Sequence, residues 1–132
     1  MRSAFQKDER LLADIAAARS RKVTRLWWLG QSGFLLHAFG HVVLFDPYLS
    51  DSLTHKYAST HKPHTRLTER VIDPGRLSGV ELITSSHNHT DHLDAETLVP
   101  LLKMNPLAKL LIPRANLGFV QERVDSEIEG SS

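Results

Sequence analysis

Apolar positions near the start of the chain fall at Leu11, Ile15 and Ala18, an i, i+4, i+7 spacing that places them on one helical face. Ser3 followed by Gln6 has the form of a capping box, so a helix is predicted over residues 4–19, its apolar stripe packing on the fold or on a second copy. The basic run Arg19, Arg21, Lys22 and Arg25 then reads as a solvated linker, with contact to phosphate as the alternative. From Thr24 the period shortens. Runs at 26–29, 34–37 and 42–45, separated by Gly30-Gln31-Ser32-Gly33 and Ala38-Phe39-Gly40-His41, predict three strands of one meander with two tight turns. Val42-Val43-Leu44-Phe45 is apolar without alternation, the pattern of a strand covered on both faces. Trp27 and Trp28 must face opposite sides, one toward the core and one toward a helix or subunit contact. His37 and His41 flank the second turn and are expected to be exposed.

Residues 48–79 show no period. They hold Lys56, Lys62, Arg66, Arg70 and Arg76 against Glu69 and Asp73, with His55, His61 and His64. A loop of this length is functional or disordered: ordered over a site, it would hold an anionic substrate, and otherwise it is solvated. A strand over 80–85 follows. Asp94 is placed to cap a helix that runs through Ala95, Thr97 and Leu98 and is broken or kinked at Pro100, with Asn105-Pro106 ending it. A strand at 108–112 and a helix at 116–123 complete an α/β alternation, before an acidic tail at 125–132.

Composition narrows the function classes. With 132 residues, 41% hydrophobic and 23% charged, the chain has the makings of one domain with a core. A net charge of +1 supplies no global field for nucleic acid or membrane, so neither partner is expected. The absence of cysteine excludes disulfides and suits a reducing compartment. Asp8, Glu9 and Asp14 interrupt the first twenty residues, so no signal peptide is read there, and a cytoplasmic location is the expectation.

The chemistry is concentrated in Ser85-Ser86-His87-Asn88-His89-Thr90-Asp91-His92-Leu93-Asp94. Three imidazoles and a carboxylate within six residues form a metal-ligand density of nitrogen and oxygen donors. A helix would split them between two faces. At the end of a strand, His87 and His89 point the same way toward one ion, and the neighbours Asp91 and His92 suit a second, adjacent ion. Asp46-Pro47 ends the buried strand at 42–45, where a carboxylate needs a donor.

His87-Asn88-His89-Thr90-Asp91-His92 resembles the HxHxDH signature of the metallo-β-lactamase-fold hydrolases. Together with Leu26-Trp27-Trp28-Leu29-Gly30-Gln31-Ser32-Gly33-Phe34-Leu35-Leu36 and Leu44-Phe45-Asp46-Pro47-Tyr48-Leu49-Ser50-Asp51, it resembles the L-ascorbate-6-phosphate lactonase-like branch. Asn88 stands where that branch commonly carries Asp, at a position that is not a ligand. The resemblance implies an α/β fold, the N-terminal half of an αββα sandwich with a mixed sheet and flanking helices. It implies one partial domain over 1–132, with the N-terminal helix and linker at 1–22, the sheet, motif and helices at 23–124, and the tail at 125–132. It also implies a dinuclear Zn or Mn site with His87, His89, Asp91 and His92 as ligands, Asp91 acting in catalysis, and Asp46 and Asp94 supporting the ligands from behind. The superfamily completes that site with a further histidine, a bridging aspartate and a last histidine from later in the chain, whereas no histidine follows His92 here. The expected activity is metal-dependent hydrolysis of a small molecule, a lactone first and a phosphodiester as the alternative. A chain inactive by itself, associating with its own copies or with a missing C-terminal half, is the third reading.

Overall fold

The structure is a computed structural model and describes residues 3–30, 32–50, 69–86 and 94–122. Helix α1 (Asp8–Arg21) leads into a hairpin pair, β1 (Arg25–Trp28), β2 (Phe34–Ala38) and β3 (His41–Phe45). A short 3-10 turn at Pro74–Arg76 precedes β4 (Leu82–Thr84), α2 (Ala95–Met104) and β5 (Lys109–Leu111), and α3 (Leu117–Val120) closes the described part. The five strands form one mixed sheet in the order β1-β2-β3-β4-β5. β1, β2 and β3 pair antiparallel, whereas β3-β4 and β4-β5 are parallel.

Strand alternation sends Trp27, Leu35, Val42, Leu44 and Ile83 to one face, where they are buried with Leu11 and Ile15 of α1 and Leu98 and Leu101 of α2. The opposite face is different. The register aligns Trp28, Phe34, Phe45, Thr84 and Leu111 in one row across all five strands. In that row Trp28 is 54% exposed and Leu111 59%. β3 is therefore covered on one face only among the described residues, which corrects the expectation drawn from its unbroken apolar run. The run is apolar on both sides, but among the described residues only Val42 and Leu44 of the strand are buried in the core.

α1 begins at Asp8 rather than at residue 4, and no capping box forms, because the preceding residues are used elsewhere. Lys7, the N-cap, makes no side-chain cap bond, the Ala4 N–H donates to Glu69 Oε2 at 3.0 Å, and the Asp8 N–H donates to the Val71 carbonyl at 2.8 Å. Lys7 also pairs with Glu69. That hydrogen bond, with the one from Ala4, holds the Glu69 carboxyl below the usual carboxylate range and raises the Lys7 ammonium. A depressed carboxylate contributes stability above its unfolded value and loses it as pH falls through the folded one. Acidification below the ordinary carboxylate range is thus expected to release residues 3–7 before the sheet melts. A protection factor at the Ala4 N–H that stays constant down to the pH of global unfolding would contradict this.

Helix α2 runs through Pro100 without a break. The lost hydrogen bond is offset by burial of Thr97, Leu98, Val99 and Leu101 around it. Asn105 ends the helix, its Nδ2 donating to the Leu101 carbonyl at 2.9 Å and to the Leu77 carbonyl at 2.7 Å. His37, expected to be exposed, is 1% exposed. It stands on the helix-covered face, two residues after Leu35, and its Nδ1–H donates to the Val23 carbonyl at 2.6 Å. His41 is exposed as expected and pairs with Glu81. The last predicted helix, at 116–123, is in place a 3-10 turn at Arg114–Asn116 followed by the single turn of α3.

Candidate metal centre

The parallel strands β3 and β4 end side by side, and the crevice beyond the carboxyl ends of parallel strands is where open α/β sheets bind ligands. Asp46 follows β3 directly and is 8% exposed. The donors that its burial demands come from the end of β4. The Thr84 hydroxyl donates to Oδ1 at 2.7 Å, and the Ser86 N–H donates to Oδ1 at 3.0 Å and Oδ2 at 3.2 Å. The Ser86 hydroxyl donates to Oδ2 as well. Asp46 has φ 45, left-handed backbone that few non-glycine residues adopt and that Asp tolerates best among them. Its own N–H donates to the Thr84 carbonyl at 3.0 Å, so that strained turn is locked onto β4.

Asp94 is 2% exposed, at the N-cap of α2. The expected side-chain cap does not form. Its Oδ2 instead accepts from the Ser50 and Thr97 hydroxyls, each at 2.6 Å. Thr97 Oγ1 in turn accepts the Leu49 N–H at 2.8 Å, so a relay of bonds joins residues 49–50 to the first turn of α2. The Asp94 main-chain oxygen accepts from the N–H groups of Thr97 and Leu98 and starts the helix.

Residues 46–50, all buried, form a shelf between these two aspartates. One end of the shelf grips Ser86 and the other grips Asp94. His87, His89, Asp91 and His92 lie between those anchors in sequence and outside the described residues, as do residues 51–68 with His55, His61, His64, Lys56, Lys62 and Arg66. Among the described residues no three His, Asp or Glu side chains gather as a metal site. Of the remaining loop cations, Arg76 is engaged by Glu9 at 2.8 Å and with Asp8, on α1, so it is held away from an anionic substrate. Sequence reading singled out Asp46 and Asp94 but missed Thr84, Ser86, Ser50 and Thr97. A run of hydroxyl residues, Thr84-Ser85-Ser86, just ahead of the histidines and level with a buried carboxylate was the available signal.

Residues 25–130 match the beta-lactamase superfamily domain, and the chain belongs to that superfamily. The mixed sheet with helices on one face is its metallo-β-lactamase-like fold. A UPF0173 metal-dependent hydrolase of Aeropyrum pernix is 32% identical over 109 residues, 83% of this chain and 38% of its own length. An uncharacterized protein of Mycobacterium tuberculosis is 36% identical over 86 residues, 65% of this chain and 22% of its own. The mitochondrial N-acyl-phosphatidylethanolamine-hydrolyzing phospholipase D of Saccharomyces cerevisiae is 41% identical over 71 residues, 54% of this chain and 14% of its own. The chain thus spans well under half the length of these relatives. Among solved structures, a mutant of the CmlA beta-hydroxylase aligns with a TM-score of 0.50 at 22% identity, over 76% of this chain and 19% of that one, a likeness of fold alone. No helix among the described residues is long and apolar enough to cross a membrane.

Proposed function

We propose that this chain supplies one half of the metal site of a metal-dependent hydrolase, with His87 and His89 on one ion and Asp91 and His92 on a second. The observation that carries the reading is the pinning of both ends of residues 87–93, by Asp46 on Ser86 and by Ser50 and Thr97 on Asp94. A ligand segment held at both ends needs less ordering when it closes on a cation, which is what a supporting shell contributes to a site. Three imidazoles and a carboxylate fit Zn, and the carboxylate suits Mn as well. A bound pair of ions would supply Lewis acidity, easing ionisation of a water and drawing charge from a substrate oxygen. Asp46 and Asp94 are then positioning residues, and Asp91 acts on the reaction as a ligand.

A lactone is the leading substrate class, from the resemblance to the lactonase-like branch, and a cytoplasmic location is the compartment proposed, which a cysteine-free composition suits. The second reading, a phosphodiester, draws on the phospholipase D activity for which the yeast relative is named. A chimera that continues this chain with the portion of the Aeropyrum pernix relative beyond the matched region is the direct test. Turnover of a lactone or of a phosphodiester chooses between the readings. A folded, metal-loaded chimera that turns over neither would remove both.

The sheet face left uncovered among the described residues supports a further proposal, self-association. Leu26, Trp28, Phe34, Phe45 and Leu111 leave an apolar surface that soluble monomers rarely expose. The chain is expected to associate at micromolar concentration, and Phe45→Lys is expected to shift it toward monomer in light scattering. A wild-type chain that stays strictly monomeric and unfolds cooperatively would count against it.

A further inference from the structure

We propose that the end of the sheet opposite Asp46 carries a binding site for a phosphate group, built from Arg19, Lys22 and His37 with Phe39 as its apolar flank. The site is independent of the metal-centre reading, and half of it belongs to α1, which precedes the matched residues 25–130. An open depression of about 700 Å³ is lined there by Arg19, Lys22, His37, Phe39, Gly40 and Gly79.

Two of its residues occupy backbone that their side chains disfavour. The turn between β2 and β3 has Phe39 at φ 54 and Gly40 at φ 79, the doubly left-handed geometry in which Asn-Gly is preferred. Phe39 is 92% exposed, so it gains no burial in return for the strain. Lys22 closes α1 in the left-handed conformation, φ 58 and ψ 36, where glycine is usual. Unfavourable residues kept at such positions point to function rather than folding.

Arg19 and His37 are held in place. Arg19 Nη2 donates to the Ser78 carbonyl at 3.1 Å and the Gly79 carbonyl at 2.9 Å. A Cβ on Gly79 would stand 2.1 Å from that nitrogen, so the bare glycine makes the guanidinium's seat. Because a carbonyl only accepts, the Nδ1 of His37 carries the proton toward Val23, and Nε2 remains as an acceptor when the ring is neutral. The neighbouring carboxylates are engaged, Glu81 by His41 and Asp14 by Arg25 and Trp27. Two cations and an imidazole lining one depression suit a phosphate group, whose several oxygens can engage Arg19, Lys22 and His37 together, whereas a carboxylate has only two. The same group occurs on a free metabolite or on a lipid headgroup.

The test follows the His37 and Phe39 ring signals by NMR during titration with inorganic phosphate, phenyl phosphate and acetate. It adds sedimentation with phosphatidylcholine vesicles with or without phosphatidic acid, which distinguishes the source. Saturable binding of phenyl phosphate or of phosphatidic acid vesicles is expected, weakened about tenfold by Lys22→Glu. Phe39→Asn suits the turn and should melt higher than the wild type, yet lose the preference of phenyl phosphate over inorganic phosphate, so unfolding cannot account for the loss. Absence of saturable binding to either phosphate source, binding of acetate equal to that of phosphate, or binding untouched by Lys22→Glu would overturn the proposal.

Discussion

Asp46→Ala is expected to destabilise the chain by about 2–4 kcal/mol and to weaken metal binding by about 10–100-fold at the same time. The stability loss has two sources. Removal of the carboxylate takes an acceptor from the Ser86 N–H and from the Thr84 and Ser86 hydroxyls in a partly buried setting. Alanine also tolerates φ 45 less well than aspartate does. The metal effect has a different route, through Ser86, which adjoins His87. Asp46→Asn separates the two. Asparagine accepts the left-handed backbone but turns an NH2 toward donors, so it should cost about 1–2 kcal/mol while still lowering metal affinity. Denaturant unfolding without metal and calorimetric titration with Zn or Mn measure the two quantities. A variant as unstable as expected that binds metal like the wild type would restrict Asp46 to a folding role.

The other large effect concerns turnover. With added Zn or Mn at neutral pH, the 132-residue chain is expected to hydrolyse neither lactones nor phosphodiesters. Two protein ligands per ion fall short of the three that catalytic zinc sites usually hold. A hydroxide shared between two ions also requires them to be fixed roughly 3.5–4 Å apart. The superfamily's bridging aspartate has no assigned counterpart here, and no histidine follows His92. In the chimera described above, His89→Ala should abolish whatever activity appears. Turnover by the chain alone, lost on His89→Ala, would mean that copies of it complete the site between them.

Local pattern made much of the fold legible. The Leu11, Ile15, Ala18 spacing and the glycine turns located α1 and the meander, because both signals depend on neighbours a few residues apart. Expectations failed where distant partners decide. The N-terminal residues preferred Glu69 to a capping box, and Pro100 stays helical because its surroundings are buried. His37 looked like a turn-flanking residue but alternates to the covered face and finds the Val23 carbonyl. Composition could not tell that β3 is covered on one side among the described residues, since Val43 and Phe45 are as apolar as Val42 and Leu44. At the candidate metal centre, the need of Asp46 for donors was readable from its place after an apolar strand, but the identity of those donors, on a strand some forty residues later, was not.

His87, His89, Asp91 and His92 are proposed to form an incomplete metal site between the anchors Ser86 and Asp94. Metal content by elemental analysis, for the wild-type chain and for His89→Ala after loading with Zn or Mn and dialysis against a mild chelator, tests it most directly. The expected result is saturable binding before dialysis, weakened in His89→Ala, and near-complete removal by the chelator. Two tightly held equivalents surviving dialysis would contradict the incompleteness of the site, and equal loading of the wild type and His89→Ala would contradict the ligand assignment itself.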